Sequence, residues 1–467
     1  MRATDWPYAL PTIDDQVTAG KAARKALSRK HQADLLPSPS DPVDTLTAQD
    51  ATRIPELIPV RYERMLVSPF TFYRGAAALM AADLGNSPHS GLMVQLCGDA
   101  HLSNFGLFAS PERRLVFDCN DFDETHPGPF EWDVKRLAAS FELAGRENGL
   151  SAKQRHALTA RVGRFYRESM ARFAGTTATK VWYAHLEMTP RLVEELVEKP
   201  RKKDIKLARK VTEKARRRDS RQAVRKLIRV VDGHAEWISD PPFLVPVEDL
   251  VPTSDKETLL NGMAELLESY TETVTPEIRQ LLRNYRLVGM ARRVVGVGSV
   301  GTSAWVVLLV GAEEKDFLML QAKEAVASVL APYVPGYDYP HQGRRVVEGQ
   351  RLMQAYGDIL LGWKTSDVSG YPRDYYVRQF RDWKGSFEPA SMSARQLGSY
   401  ADVCGWTLAR AHARSGQRVA IAAYLGDGSV FDHAMAEFAT AYADKTETDY
   451  QRVRAASDQG RLTASKS

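Results

Sequence analysis

Gly98-Asp99-Ala100-His101-Leu102-Ser103-Asn104, followed by Asn120-Asp121-Phe122-Asp123, decides how the chain is read. Each stretch follows a short apolar run, Gly91–Leu96 and Leu115–Phe117, that fits a buried strand. Asp99 and Asn104 therefore share one loop at a strand end, and Asp121 sits on a second such loop. Phosphoryl transfer needs a carboxylate that orients or deprotonates the attacking hydroxyl. It also needs an amide oxygen and a second carboxylate to hold Mg²⁺ on the phosphates. Asp99, Asn104 and Asp121 have these types in this order, with His101, Asp123 and Asp133 as supporting residues. The bland reading is two ordinary turns, since Asp and Asn favour turns for their own local hydrogen bonds. The joint spacing and the sequel Trp132-Asp133-Val134-Lys135-Arg136-Leu137-Ala138 favour the site.

A second constellation lies further on. Gly296-Val297-Gly298-Ser299-Val300-Gly301 is a GxGxxG, a weak signal by itself. In a dinucleotide fold it would open a helix. Here it runs into Trp305-Val306-Val307-Leu308-Leu309-Val310, a strand, as a glycine-rich cover over ATP phosphates does. Gly296, Gly298, Ser299 and Gly301 are the expected phosphate contacts. The next strand, Phe317–Lys323, alternates with period two, which puts Gln321 and Lys323 on one face. Lys323 is then a candidate phosphate clamp. Glu348, on a helix over 343–355, is a candidate partner for it; Glu313 and Glu324 are less suited by position.

Composition excludes several classes. Of 467 residues, 44% are hydrophobic and 26% charged, an ordinary globular balance with a net charge of +5. Three cysteines, Cys97, Cys119 and Cys404, form no CxxC pair, so neither a disulfide framework nor a zinc site is expected. There is no apolar run of bilayer length and no signal-peptide core, so a cytoplasmic protein without membrane insertion is expected. Residues 1–55, rich in Pro, Asp, Ser and Thr, read as an extended arm with one short basic helix near 21–30. Residues 56–285 read as a helical lobe carrying both acidic loops. Residues 286–390 read as a β-rich nucleotide lobe, and 391–467 as helices returning to the helical lobe.

Gly98-Asp99-x-His101-x-x-Asn104 resembles the catalytic loop of aminoglycoside-phosphotransferase and choline-kinase relatives. Asn120-Asp121-Phe122-Asp123 with Trp132-Asp133-Val134 is similar to their metal-binding segments. Cys97 stands where those relatives carry a histidine. Over most of its length the chain resembles an uncharacterised bacterial domain-of-unknown-function family, number 2252. CGDAHLSNFG, FDCNDFDETHPGPFEWDVKRLAAS, RVVGVGSVGT, RRVVEGQRLMQ, DYYVRQFRDWKGS and CGWTLARAHARSG carry that resemblance. The kinase-like resemblance implies an α+β, two-lobed, protein-kinase-like fold with helical additions. The glycine loop and lysine follow the metal-binding aspartate instead of preceding it, so either the fold is circularly permuted, which is the expectation, or the two constellations are unrelated.

The leading expectation is an ATP- and Mg²⁺-dependent phosphotransferase acting on a small-molecule or protein hydroxyl. Nucleotidyl transfer (AMPylation) by the same site and a nucleotide-binding pseudokinase scaffold are the alternatives. The basic stretch Lys199–Arg229 has few aromatics, which argues against nucleic acid and for a solvated helix face, or for attraction of an anionic substrate. No GxSxG elbow supports a serine hydrolase, and His412 is expected to be a packed helix histidine.

Overall fold

The computed structural model describes residues 11–189, 202–217, 220–231, 234–250, 256–294, 296–313, 316–366, 372–380 and 383–462. Lys199, Arg201 and Arg218 of the basic stretch lie outside these. The architecture is mixed α+β, with several antiparallel sheets set among helices. No described helix is long and apolar enough to cross a membrane.

One helix, Phe130–Glu147, organises the first half. It is buried almost throughout, including Glu131, Asp133, Lys135, Arg136, Ser140 and Glu142. Buried polar groups must find partners, and these find theirs in the loops around them. Helices Ala152–Ala174, Ala394–Ser415 and Val430–Asp458 pack around it. Strands β1 (Met93–Leu96) and β4 (His126–Pro129) pair antiparallel, and β2 (Phe105–Ala109) pairs with β3 (Leu115–Cys119). β3 also pairs with the two-residue β5 (Leu186–Glu187). The acidic loops are the β1–β2 and β3–β4 connections.

The second half builds a six-stranded antiparallel sheet. After a hairpin of β6 (Ile228–Val231) and β7 (His234–Trp237) come β8 (Leu244–Pro246), β9 (Arg286–Arg293) and β10 (Ala304–Val310). β11 (Phe317–Glu324), β12 (Gly362–Ser366) and β13 (Arg373–Gln379) complete it. The order across the sheet is β12-β13-β11-β10-β9-β8. The glycine turn joins β9 to β10. The sheet is buried on both faces: Val307, Leu309 and Leu320 pack with Tyr270, Ile278 and Leu282, and Val306, Leu308 and Met319 with Val224 and Trp237. Residues Leu107 and Gly385 exchange backbone hydrogen bonds of 2.7 and 2.9 Å, tying the segment after β13 to β2.

Over its described residues from 11 on, the N-terminal segment is more helical than the arm with one short helix near 21–30 that was expected for 1–55. Ile13–Ala26 and Pro42–Asp50 are α-helices. Thr12 and Asp15 form a reciprocal capping box, and Asp41 caps a helix with Pro42 in its first turn. Prolines and aspartates that look like breakers are here helix starts. The first helix lies against Arg418–Leu425. Gly20 permits this, because a Cβ there would sit 2.1 Å from the Ala420 carbonyl oxygen.

Candidate active site

The Phe130–Glu147 helix holds the first acidic loop at three points on one face, spaced by three and four residues. Asp133 accepts hydrogen bonds from the backbone N–H groups of Cys97 (2.6 Å) and Gly98 (3.0 Å). Arg136 Nε donates to Asp99 Oδ1 at 2.6 Å. Ser140 Oγ accepts from the Leu102 N–H at 3.0 Å. His412 is buried, with Nε2 3.2 Å from Asp133 Oδ2 and Nδ1 2.9 Å from the Tyr166 hydroxyl. It is a packed histidine that fixes Asp133.

The two acidic loops are pressed together. Gly98 has φ +85°, and a Cβ there would lie 2.0 Å from the Glu124 carbonyl oxygen, so only glycine fits. The Asn120 N–H donates to the Asn104 carbonyl at 3.0 Å. Cys97 Sγ lies 3.1 Å from the Asp121 carbonyl oxygen. Its hydrogen-bonded neighbour Cys119, with burial, pushes the Cys97 thiol well up, so it stays protonated and inert.

Asn104 Nδ2 donates to the Asp99 carbonyl at 2.8 Å, which leaves Oδ1 as the atom suited to a cation. His101 is buried, and its Nδ1 accepts from the Ser103 N–H at 3.2 Å. Its Nε2 is 3.7 Å from Asp99 Oδ2. Burial, aided by Arg74 and Arg136, drives its pKa well down, so it is neutral. Burial also pushes the Glu124 carboxyl up to about 7.

Lys323 comes to this place from β11. Its Nζ lies 2.5 Å from Asp123 Oδ2, and the Tyr376 hydroxyl donates to Asp123 Oδ1 at 2.5 Å. Burial would lower the lysine pKa, but Asp121 and Asp123 outweigh it and raise it. Burial would raise the Asp123 pKa, but Lys323 and Tyr376 outweigh it and lower it. The two shifts describe one formed ion pair. Lys323 stands opposite Tyr376 in the sheet register, and Gln321 opposite Arg378, so all four share a face.

Glu348 is not brought to Lys323. It is half-exposed and pairs with Arg344 at 2.7 Å. Arg345, one residue after that arginine and almost fully buried, is the charged side chain of this helix that reaches the second acidic loop. Its Nη2 donates to the carbonyls of Asp123 and Val326, both at 2.8 Å.

The glycine turn bends over the loops. Gly296 and Gly301 have φ of +73° and +94°. Arg64 Nη1 donates to the Gly296 carbonyl at 2.8 Å, the Ile54 N–H donates to the Gly301 carbonyl at 2.8 Å, and Arg53 donates to the Val300 carbonyl. Gly298 lies against the backbone of Arg74 and Gly75.

Two cavities meet here, sharing Asp121, Gly296 and Ser299 in their walls. One, of about 510 Å³, is lined by Asp99, Asn104, Asp121, Asp123 and the turn Gly296–Ser299. The other, of about 430 Å³, is lined by Lys323, Gln321, Arg378 and Lys384 besides the shared residues. Arg136, Arg345, Arg378 and Lys384 lie within the quoted family stretches, but the sequence alone assigns them no role. Their place in the site depends on contacts across the chain.

Residues 53–456 match the family described as "Uncharacterized protein conserved in bacteria". The chain belongs to that family, DUF2252. No curated protein and no solved structure matches it. The DUF2252 match spans both acidic loops, the glycine turn and Lys323.

The donor set bears on a metal. Among the described residues, no three His, Cys, Asp or Glu side chains stand together as a metal cage. Mg²⁺ does not require one. It keeps waters and takes one or two protein oxygens besides substrate phosphates, which suits Asn104 Oδ1 and Asp121.

Proposed function

We propose that this DUF2252 protein is a kinase-like phosphotransferase that uses ATP and Mg²⁺ and acts on the hydroxyl of a small molecule or protein. The observation that carries the reading is the Lys323–Asp123 ion pair beside Asp121, under a glycine turn. A glycine turn between two strands, a lysine on the next strand and a following helix are the parts a kinase uses to hold nucleotide phosphates. In this reading the two-lobed fold is circularly permuted: residues near 300 complete a site begun near residue 100.

Each residue then has a task. Asp99, steered by Arg136 through Oδ1, presents Oδ2 to the acceptor hydroxyl and takes its proton. Neutral His101 backs that oxygen without charge competition. Asn104 and Asp121 would hold Mg²⁺, which when bound offsets negative charge on the phosphates. Lys323 draws the donor phosphates toward Asp121. The turn residues Gly296 and Ser299, which border both cavities, close over them.

Purified protein and an Asp121→Ala variant, compared for Mg²⁺-dependent ATP turnover, test this. A loss of about 100-fold or more is expected, the usual scale for removing an electrostatic contact to a transition state. Equal turnover by both proteins sinks the reading. The mass added to the acceptor separates a transferred phosphoryl group from a nucleotidyl group.

A further inference from the structure

We propose that the cavity of about 430 Å³ between β11, β13 and the β2–β3 hairpin seats an oligophosphate, gripped by Lys323, Arg378 and Lys384, and that the donor therefore lies on this side of Asp121. The assignment of that oligophosphate to ATP rests on the phosphotransferase reading; the seat itself rests on the charge and shape of the cavity.

The two cavities that meet at Asp121 have opposite character. Among the described residues lining the smaller one, Arg113, Arg293, Lys323, Arg378 and Lys384 face only Asp121 and Asp358, with Asp123 paired to Lys323 from the other cavity. Burial, with Arg378 nearby, lowers the Lys384 pKa to about 7, and a bound polyanion favours its charged form. In the larger one, Asp99, Asp121, Asp123, Glu124 and Glu324 face only Arg53 and Arg74. A polyanion is attracted to the first and repelled from the second. Low-dielectric walls strengthen both effects. The larger cavity is thereby left to the acceptor, beside Asp99.

Two of the cationic groups stand on the central sheet. Lys323 and Arg378 share a face of the central sheet, and Arg378 is held by Gln321 Oε1 and the Asn120 carbonyl, both at 3.3 Å. Lys384 follows β13 on the segment whose Gly385 is bonded to Leu107. At the cavity mouth the Arg113 guanidinium stacks 4.4 Å from the Trp383 ring centroid. Both residues have positive φ, +61° and +54°, an uncommon conformation for side-chain-bearing residues. Arg216, at the end of the basic helix Lys202–Arg216, approaches the same ring at 5.8 Å. The described end of that helix thus adds positive charge beside Arg113, which lines the cavity.

Calorimetric binding of inorganic tripolyphosphate to the full chain tests the proposal. Wild-type protein is expected to bind it, with Kd rising about tenfold or more between about 50 and about 500 mM salt as the field is screened. Lys384→Met and Arg378→Met are each expected to weaken binding by about tenfold or more, the scale of one charge-assisted hydrogen bond. Lys384→Arg, which keeps the charge, is expected to restore most of it, and unchanged melting temperatures show that the variants fold. No binding by wild type, or binding by Lys384→Met and Arg378→Met as tight as by wild type, overturns the seat. ATP turnover whose KM ignores Lys384→Met sinks the seat and leaves the phosphotransferase reading standing. Salt-sensitive, Lys384-dependent binding without ATP turnover does the reverse.

Discussion

Lys323 and Asp123 lie 200 positions apart in sequence, and their charged atoms are 2.5 Å apart. The pair ties the central sheet to the second acidic loop at the residue next but one to Asp121. Lys323 is almost fully buried, and Asp123 is shielded on its other oxygen by Tyr376. Removing one partner of such a pair strands the other charge, at a cost of roughly 3 kcal/mol. Lys323→Ala is therefore expected to lower unfolding stability by about that amount in denaturant titrations. The Lys323→Ala/Asp123→Ala double variant should recover part of the loss. A coupling energy below a few tenths of a kcal/mol would mean that the two groups do not interact in solution.

Asp133 offers a test that leaves the catalytic atoms untouched. Its two oxygens take the N–H groups of Cys97 and Gly98 and set where Asp99 begins. Asp133→Asn keeps the shape but turns an NH₂ toward one of those donors. The loop then loses a charge-assisted hydrogen bond and gains an unsatisfied buried donor, together about 2–4 kcal/mol. Thermal melting should register that cost, and ATP turnover should fall with it. A variant as stable as wild type would show that Asp133 does not anchor the loop.

Local patterns carried much of this arrangement, and long-range pairings the rest. Strand-then-acid-loop, glycine turn into strand, and the alternation placing Gln321 with Lys323 are short-range features. The structure has strands at Met93–Leu96, Leu115–Cys119, Ala304–Val310 and Phe317–Glu324 where those patterns put them. β9 and β12 were not legible. Their charged and polar ends, Arg286, Arg292 and Arg293 in one and Lys364, Thr365 and Ser366 in the other, hide the alternation. Of the N-terminal α-helices, only the end of Ile13–Ala26 coincides with the short helix expected near 21–30, and the rest were concealed for a different reason. Thr12 and Asp41 are good caps, but proline-rich surroundings read as extended chain. The charged residue that the Gln342–Met353 helix buries is Arg345, not Glu348. No rule about charge types chooses between neighbouring helical positions until the facing carbonyls of Asp123 and Val326 are known.

The glycine turn is latched from outside the sheet. Arg64 Nη1 holds the Gly296 carbonyl across 232 positions, with Ile54 and Arg53 at the far end of the turn. Arg64→Ala removes one hydrogen bond at an exposed site, so stability should change by only about 1 kcal/mol. The turn should loosen nonetheless. Hydrogen exchange at 296–301 is expected to quicken, and KM for ATP to rise several-fold with kcat less affected, the pattern of weakened ground-state binding. Unchanged exchange across the turn would count against the latch.

Lys135 predicts a pH dependence away from the cavities. It is 2% exposed in the central helix, with its ammonium 4.7 Å from the Phe438 ring centroid. Burial pushes its pKa down from 10.5 to about 8, with Glu131 and Asp34 opposing. Below pH 8 both folded and unfolded chains carry the proton, and the fold bears the full cost of the buried charge. Between about pH 8 and 10.5 the unfolded chain keeps a proton that the folded chain has released, so this residue's contribution makes the protein more stable as pH rises. Lys135→Met removes the charge and keeps most of the packing. It should stabilise the protein by about 1–3 kcal/mol at pH 7, from a shift of this size discounted for the lost ring contact. That gain should shrink through pH 9 and nearly vanish by about pH 10.5. Urea unfolding of both proteins at three pH values measures it, and a gain independent of pH across that window would show that Lys135 does not titrate there.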